Sequence, residues 1–139
     1  PDLQKFVEDS RGLDKMMRNM YLLEYGDKLG DFPEEAMDEE HQVKGCTSTV
    51  YVLGELEDGV MSYRGWSDAQ IVQGMTSVLV NGLSGIEPDR ILAIAPEFIQ
   101  ESGISEVLTN TRQSGFYNIF RRLQQEAEPH AERSPSSST

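Results

Sequence analysis

The sequence predicts an α+β fold in which a small antiparallel sheet has helices packed on one of its faces. One observation behind this prediction is a pair of segments rich in β-branched and aromatic residues on either side of Asp58-Gly59, which is typical of a β-hairpin. Another is that apolar residues recur at helical spacing before and after the hairpin. The length of 139 residues suits one domain with a modest core.

The first part of the chain is predicted to be helical. We expect a short helix over residues 3–9 and a longer helix that begins at Leu13. The longer helix has apolar residues at helical spacing, which predict one buried stripe formed by Met16, Met17, Met20 and Tyr21. Residues 24–40 follow with eight acidic residues against one lysine, so this stretch is predicted to be a solvated loop.

The hairpin is predicted over residues 47–56 and 60–66, because glycine takes the positive φ that the tight turn requires. A third, short strand is compatible with the sequence but has no predicted position. Ser67 and Gln70 have the spacing of a capping box, and Asp68 suits the positive end of the helix that follows. The predicted core face of this mostly buried helix consists of Ile71, Val72, Met75, Val78, Leu79 and Leu83.

Prolines and glycines delimit the predicted helices of the last third. Pro88 suits the first position of a helix, Pro96 is expected to bend or break the chain, and Gly103 is expected to end a helix. A last helix is predicted to begin near Asn110 as its N-cap. It is expected to bury Phe116, Ile119, Phe120 and Leu123. We therefore expect a domain over residues 1–125 and a disordered tail over residues 126–139.

Charge and composition exclude several classes of protein. A formal net charge of −12 disfavours nucleic acids and anionic membrane surfaces as partners. Residues 69–86 are uncharged but too polar for a membrane span, so no membrane association is expected. The single cysteine, Cys46, excludes an internal disulfide and the ligand set of a zinc ribbon. We expect a cytoplasmic protein, or one of a plastid or another organelle if the source is eukaryotic.

Cys46 is the candidate functional residue, since it follows Gly45 directly and precedes a predicted strand. The alternative is a small apolar side chain in the core. The polar neighbours Gln42, Lys44 and Ser48 favour a functional thiol but leave both interpretations open. His41 could approach Cys46 as a base, although a solvated loop histidine is the more common case. Lys44 would favour the thiolate by its charge. The sequence contains no metal-ligand or phosphate-binding pattern, so no bound metal or cofactor is expected.

Four motifs, taken together and in this order, resemble the SufE family of sulfur-acceptor proteins, which work with cysteine desulfurases in iron–sulfur cluster assembly. They are LLEYG at 22–26, VKGCTSTVY at 43–51, GWSDAQIVQG at 65–74 and LTNTRQSGF at 108–116. The resemblance extends over roughly residues 21–123. Members of the family commonly have Trp, Lys and Ser at the positions of Tyr51, Gln73 and Thr111, so the resemblance leaves fine partner contacts open.

The resemblance implies a SufE/IscU-like fold in which Cys46 is the acceptor cysteine. In such proteins this cysteine attacks a persulfide on a SufS-type cysteine desulfurase and carries the sulfur to a scaffold complex of the SufBCD type. The pyridoxal phosphate would belong to the desulfurase and not to this chain. The fold also resembles the scaffolds that build clusters, but those need three cysteines, so a scaffold role is excluded here.

The resemblance also implies roles for residues around Cys46. Gly45 fits an acceptor loop that is tucked against the free protein and swings out on docking. Asp68 matches an aspartate of the family, which implies an effect on partner docking or on the position of the loop, with helix capping as the alternative. Arg112 matches an arginine of the family, which implies contact with the acceptor loop or the partner, with a surface position at a helix start as the alternative. Two other functions stay open for the chain. They are an acidic protein-interaction domain with a structural cysteine, and a redox-sensing protein.

Overall fold

The computed structural model describes residues 8–9, 13–46, 48–95, 97 and 108–131. The α+β prediction is confirmed, since a two-stranded antiparallel sheet and packed helices occur within these ranges. Most of the predicted helix over 3–9, the bend at Pro96, the helix stop at Gly103 and the tail from residue 132 onwards lie outside the described residues.

The predicted hairpin is confirmed, with β1 at Val50–Glu57 and β2 at Val60–Ser67. Their register runs from Val50 opposite Ser67 to Glu57 opposite Val60. Asp58 and Gly59 have φ values of 52° and 83°, and two positive φ values in a two-residue turn match the twist of antiparallel strands. Within the described ranges no third strand is present, and Gln42 forms a single isolated bridge with Tyr51.

Helices cover one face of the hairpin, as predicted. Helix α2 (Gln70–Leu83) packs on β2, and helix α4 (Asn110–Ala127) packs on β1. The short helix α3 (Pro88–Leu92) begins with its proline, as predicted, and contacts α4. The buried residues that α2 and α4 supply include Met75, Val78, Leu79, Leu83, Phe116, Ile119, Phe120 and Leu123, whereas Ile71 and Val72 are only half-buried.

The stripe predicted for the first long helix is wrong. Helix α1 (Lys15–Gly26) exposes Met16, Met17 and Met20 by 72, 50 and 56%, Tyr21 is half-buried, and the buried residues are Leu22 and Tyr25. The reason is the close approach of α2. A Cβ atom added to Gly74 of α2 would lie 2.1 Å from the carbonyl oxygen of Leu22. The face of α1 that enters the core is therefore the one around Leu22.

The acidic stretch at 24–40 is more structured than the predicted solvated loop. Helix α1 extends through Gly26, and Glu34–Ala36 form a 3₁₀ turn. Phe32 and Ala36 are buried. The ring of Phe32 stacks on that of Tyr51, with the centroids 6.1 Å apart. Burial of these few apolar residues thus packs the stretch against the rest of the fold, although acidic residues surround them.

Two predicted helix caps are also wrong in detail. Ser67 ends β2 and accepts a hydrogen bond from the Ala69 amide at 3.2 Å, while α2 begins with Ala69 as its N-cap and without a side-chain cap. Helix α4 has Thr109 as its N-cap, one residue before the predicted Asn110. At its other end α4 continues past residue 125 to the buried Ala127, and a 3₁₀ turn at Glu128–His130 follows.

Candidate functional site

Cys46 lies in a loop whose two flanking segments are joined to each other by backbone hydrogen bonds. The Val43 amide donates to the carbonyl oxygen of Val50 at 2.8 Å, and the Val52 amide donates to that of His41 at 2.9 Å. Val43 and Val50 are buried, so these bonds also anchor the ends in the core. We call residues 44–49 the cysteine loop. Its ends are fixed by β1, and its middle carries the thiol.

The thiol of Cys46 faces helix α4. Its Sγ atom donates a weak hydrogen bond to the carbonyl oxygen of Gly115, at 3.8 Å. The same spot is close to Met75, because a Cβ added to Gly115 would be 3.8 Å from Sγ and 3.9 Å from the Met75 Cε. The thiol is half-buried against the apolar core, and this burial raises its pKa. The neutral thiol is therefore the favoured form in this position.

Gly45 and Asn118 hold the backbone beside the thiol. Gly45 has a φ of 81°, which favours glycine, and its carbonyl oxygen accepts a hydrogen bond from Asn118 Nδ2 at 2.9 Å. A Cβ on Gly45 would lie 2.5 Å from that nitrogen. The absence of a side chain at position 45 therefore serves both the backbone conformation and the contact with Asn118.

Arg122 fixes the segment that leads into the cysteine loop. Its guanidinium donates to the carbonyl oxygens of Gln42, at 3.0 Å, and of Glu40. Its Nε atom forms an ion pair with Glu126 Oε2 at 3.1 Å. Glu126 in turn accepts a hydrogen bond from the Gly54 amide of β1 at 3.3 Å. This network joins α4 to β1 and to the start of the loop.

Asp68 acts on the other end of the cysteine loop. Its carboxylate accepts a hydrogen bond from the Thr49 amide at 3.1 Å, and its own amide donates to the Thr49 carbonyl oxygen at 3.3 Å. Asp68 lies two residues before α2, so its contacts hold the loop end rather than cap the helix. The structure thus places the Asp68 carboxylate against the loop end and not in a capping contact with α2.

Arg112 lies in the first turn of α4, one turn before Gly115. Its side chain is half-buried and lines a groove of about 640 Å³, together with Ser48 of the cysteine loop. The other lining residues are Leu23, Ala69, Gln70, Ile71, Val72, Thr109 and Thr111. The groove therefore runs beside the loop and combines apolar walls with hydroxyl groups and one guanidinium.

The remaining candidates lie away from the thiol contacts. Lys44 is exposed, and burial is the cause of the raised pKa of Cys46, so a charge effect of Lys44 stays a prediction. His41 Nδ1 is 2.8 Å from Asp38 Oδ1, and this hydrogen bond lowers the pKa of the Asp38 carboxyl. His41 is thus engaged by Asp38, and the structure records no contact between His41 and Cys46 among the described residues.

Asn118 and Arg122 are the site residues that sequence reasoning missed. Both reach backbone carbonyl oxygens more than seventy positions earlier in the chain, and a carbonyl acceptor leaves no trace in a side-chain pattern. The signal available in the sequence was the spacing of Gly115, Asn118 and Arg122. These residues recur at helical intervals beside the predicted apolar face of α4.

Metal-binding clusters and membrane-spanning helices are both absent from the described residues. In the part of the chain that the structure describes, there is no group of three or more His, Cys, Asp or Glu residues that could bind a metal ion. Among the helices in these same ranges, none combines the length and the apolar composition that a membrane crossing needs. The chemistry that the described site offers is that of a single thiol in an anchored loop.

The chain is similar to SufE proteins over most of its length. The family model "SufE: Fe-S metabolism associated domain" matches residues 4–127. An uncharacterized SufE-like protein of Synechocystis is 43% identical over 128 residues, which cover 91% of this chain and 80% of that protein. The cysteine desulfuration protein SufE of Plasmodium falciparum is 33% identical over 88% of this chain and 52% of its own length, so the chain spans about half of that relative.

A solved structure shows the same fold. The solution structure of a hypothetical protein from Thermus thermophilus is similar with a TM-score of 0.76 and 27% sequence identity. The similarity covers 93% of this chain and 95% of that one. The architecture of hairpin and helices is therefore common to both proteins over nearly their whole lengths.

Proposed function

The chain belongs to the SufE family, and from this premise we propose that it is a persulfide carrier that takes sulfur from a cysteine desulfurase onto Cys46. The observation that carries the proposal is the position of Cys46, the single cysteine of the sequence, in the middle of a loop with both ends anchored. The name of the Plasmodium falciparum relative, a cysteine desulfuration protein, supports the same function.

The proposed reaction is a thiolate attack on sulfur. The Cys46 thiolate attacks the outer sulfur of a persulfide on the partner's cysteine. A bond forms between Cys46 Sγ and that sulfur, while the bond from the outer sulfur to the partner's cysteine breaks and the partner leaves as a thiolate. The products are Cys46 persulfide and a reduced partner, so the exchange needs no oxidant or reductant. Its rate depends on access and on the thiolate fraction.

A carrier of this kind needs no base held beside its thiol. The raised pKa of Cys46 in the half-buried position limits the thiolate while the loop lies against α4. Contact with solvent would lower the pKa towards its ordinary value, because desolvation is the cause of the shift. Reactivity would therefore be low while the thiol lies against α4 and higher once it is solvated, which protects the thiol from oxidants between transfers.

The single cysteine also suits the carrier function. A second thiol near Cys46 could attack its persulfide, form a disulfide with Cys46 and release the sulfur. Within the proposal, pyridoxal phosphate belongs to the desulfurase, and a scaffold complex of the SufBCD type receives the sulfur. Removal of the persulfide would let the desulfurase turn over faster. Location in the cytoplasm or in an organelle stays a prediction.

A persulfide-transfer assay tests the proposal. The chain is incubated with a SufS-type desulfurase and cysteine, and its intact mass and the formation of alanine are measured. We expect a gain of one sulfur atom and faster alanine formation, and we expect both to be absent with Cys46→Ser. An unmodified Cys46 and unchanged turnover would contradict the proposal. Oxidation of Cys46 to sulfenic acid by dilute peroxide, without any gain of sulfur from the desulfurase, would instead support a redox sensor.

A further inference from the structure

We infer that Asn118 is a positioning residue that holds the cysteine loop against helix α4 and so limits access to the Cys46 thiol in the free protein. Three residues on one side of α4 contact the chain that leads into the loop. Gly115 lies against the thiol, Asn118 binds the carbonyl oxygen of Gly45 at 2.9 Å, and Arg122 binds that of Gln42 at 3.0 Å. Asn118 is the member of this set that binds the backbone next to Cys46.

The inference rests on the proposed function, because transfer requires the sulfur of a partner to reach Cys46. Attack on a persulfide places the attacking sulfur, the transferred sulfur and the leaving sulfur close to a line. In the structure the Cys46 sulfur faces the Gly115 carbonyl oxygen of α4 and is half-buried. Helix α4 therefore blocks the approach to the thiol from that side for as long as the loop lies against it.

The contacts around the loop determine which part of it can move. The bond between Val43 and Val50 closes the base, and Asp68 holds Thr49 at the far end. Between these points, and among the described loop residues, which do not include residue 47, the bond from Asn118 to Gly45 is the stronger attachment, because the contact from the thiol to Gly115 is long and weak. Loss of the Asn118 bond would thus free the middle of the loop while its ends stay in place.

Gly45 is suited to be the point of rotation. Its φ of 81° lies in a region that glycine adopts as readily as negative values. The peptide that follows Gly45 can therefore turn without the strain that a side chain would impose. The combination of a hydrogen-bonded carbonyl and a permissive residue at the same position gives the loop a held state and a released state.

Alkylation of Cys46 in the free protein tests this inference without a desulfurase. The rate with iodoacetamide is measured for the wild type, Asn118→Ala and Asn118→Asp at one pH below the pKa of the thiol. The alanine variant lacks the donor, and the aspartate variant places an acceptor opposite the Gly45 carbonyl oxygen at nearly unchanged size. We expect about fivefold faster alkylation for alanine, the factor that one net hydrogen bond corresponds to, and a larger increase for aspartate.

Gln125→Ala is the matched control, because it removes an amide from an exposed position of the same helix. It should react at the wild-type rate, and all variants should react equally when unfolded in urea. Asn118 is half-exposed, so its variants are expected to fold. Faster alkylation could come from a loosened loop or from a larger unfolded fraction. The dependence of the alkylation rate on low urea concentrations separates these explanations, since release of a loop exposes little surface and global unfolding exposes much.

Two results would overturn the inference. One is a wild-type alkylation rate in folded Asn118→Ala and Asn118→Asp. The other is an increase that rises steeply with low urea, which would make Asn118 a purely structural residue. Neither result bears on whether wild-type Cys46 accepts sulfur from a desulfurase. A failure of the inference and a failure of the proposed function are therefore distinguishable.

Discussion

Substitution of Arg122 by methionine should destabilise the protein strongly for a residue outside the apolar core. The guanidinium makes three recorded interactions, with the carbonyl oxygens of Gln42 and Glu40 and with the carboxylate of Glu126. Methionine keeps much of the apolar stem but removes every donor. The carboxylate then loses its ion-pair partner, and the chain leading into the cysteine loop loses its attachment to α4.

The size of the effect follows from the burial of the pair. Removal of one partner from a fully buried ion pair costs about 3–5 kcal/mol, whereas an exposed pair contributes at most ~1 kcal/mol. The side chains of Arg122 and Glu126 retain 18 and 23% of their exposure, which is close to the buried case. Glu126 also keeps its hydrogen bond from Gly54. We therefore expect Arg122→Met to lower the free energy of unfolding by about 2–3 kcal/mol.

Equilibrium unfolding in urea, followed by the fluorescence of Trp66, measures this change. Trp66 is the single tryptophan of the sequence and contacts Tyr51 of β1, so its emission reports on the hairpin. Arg64→Met is the matched control, because it makes the same exchange of side chains at an exposed position of β2. We expect the control to change the free energy by less than about 0.5 kcal/mol. Equal midpoints for the two variants would refute the reasoning.

Three further predictions concern the helix contact, the thiol and the end of the loop. Gly74→Ala should lower the free energy of unfolding by about 2 kcal/mol or more, because the added methyl group would meet a carbonyl oxygen of α1. Gly30 has open space around it, so Gly30→Ala should change the free energy of unfolding by less than about 1 kcal/mol. Equal urea midpoints would contradict this. Alkylation of Cys46 should reach half its maximal rate at a higher pH in the folded chain than in the unfolded chain, because burial raises the pKa. By linkage, the contribution of the neutral thiol to the free energy of unfolding is complete below the unfolded-state pKa and is lost as the pH rises through the folded-state pKa. Alkylation profiles that coincide for the folded and unfolded chains would show that the thiol is not buried. Asp68→Ala should speed hydrogen exchange of the Thr49 amide by about fivefold to tenfold, because the amide loses its acceptor. Asp68→Asn keeps an acceptor oxygen and should retain most of the protection. Unchanged exchange in both variants would show that the carboxylate does not hold the loop.

The parts of the fold that the sequence predicted are those fixed by local physics. The turn at Asp58-Gly59 needs two positive φ values, and its residues supply them. Helix α4 was predictable because its apolar residues recur at helical spacing and enter the core. In both cases the local preference and the tertiary structure agree, so a short window of sequence contained enough information.

The stripe of α1 was not predictable in this way. Met16, Met17 and Met20 have the right spacing for a buried face, yet the contact with α2 selects the face of Leu22 and Tyr25. That selection depends on Gly74, about fifty residues later, where the two backbones approach closely. Periodicity identifies a helix and its apolar residues, but which of two adjacent faces is buried depends on the shape of the partner.

The candidate site also contains one residue that the sequence could indicate and others that only the structure could. Cys46 could be found from the sequence, because a single cysteine after a glycine is visible there. The donors that hold its loop could not be assigned, because Asn118 and Arg122 bind backbone carbonyl oxygens, which every residue carries. Only the folded chain shows which carbonyl oxygens come within reach of these side chains.

Helix α4 consequently links the core to the cysteine loop. One side of the helix places Phe116, Phe120 and other apolar residues in the core, and an adjacent side presents Asn118 and Arg122 to the chain that leads into Cys46. The helix is fixed by its core side, so the donors on the adjacent side have fixed positions. The bonds they make end at Gly45, and the hydrogen bond of the thiol itself, to the Gly115 carbonyl oxygen, is long and weak. A rigid helix thus positions the start of the loop through two side chains, and the bond from Asn118 to Gly45 is the one of these contacts that lies next to Cys46.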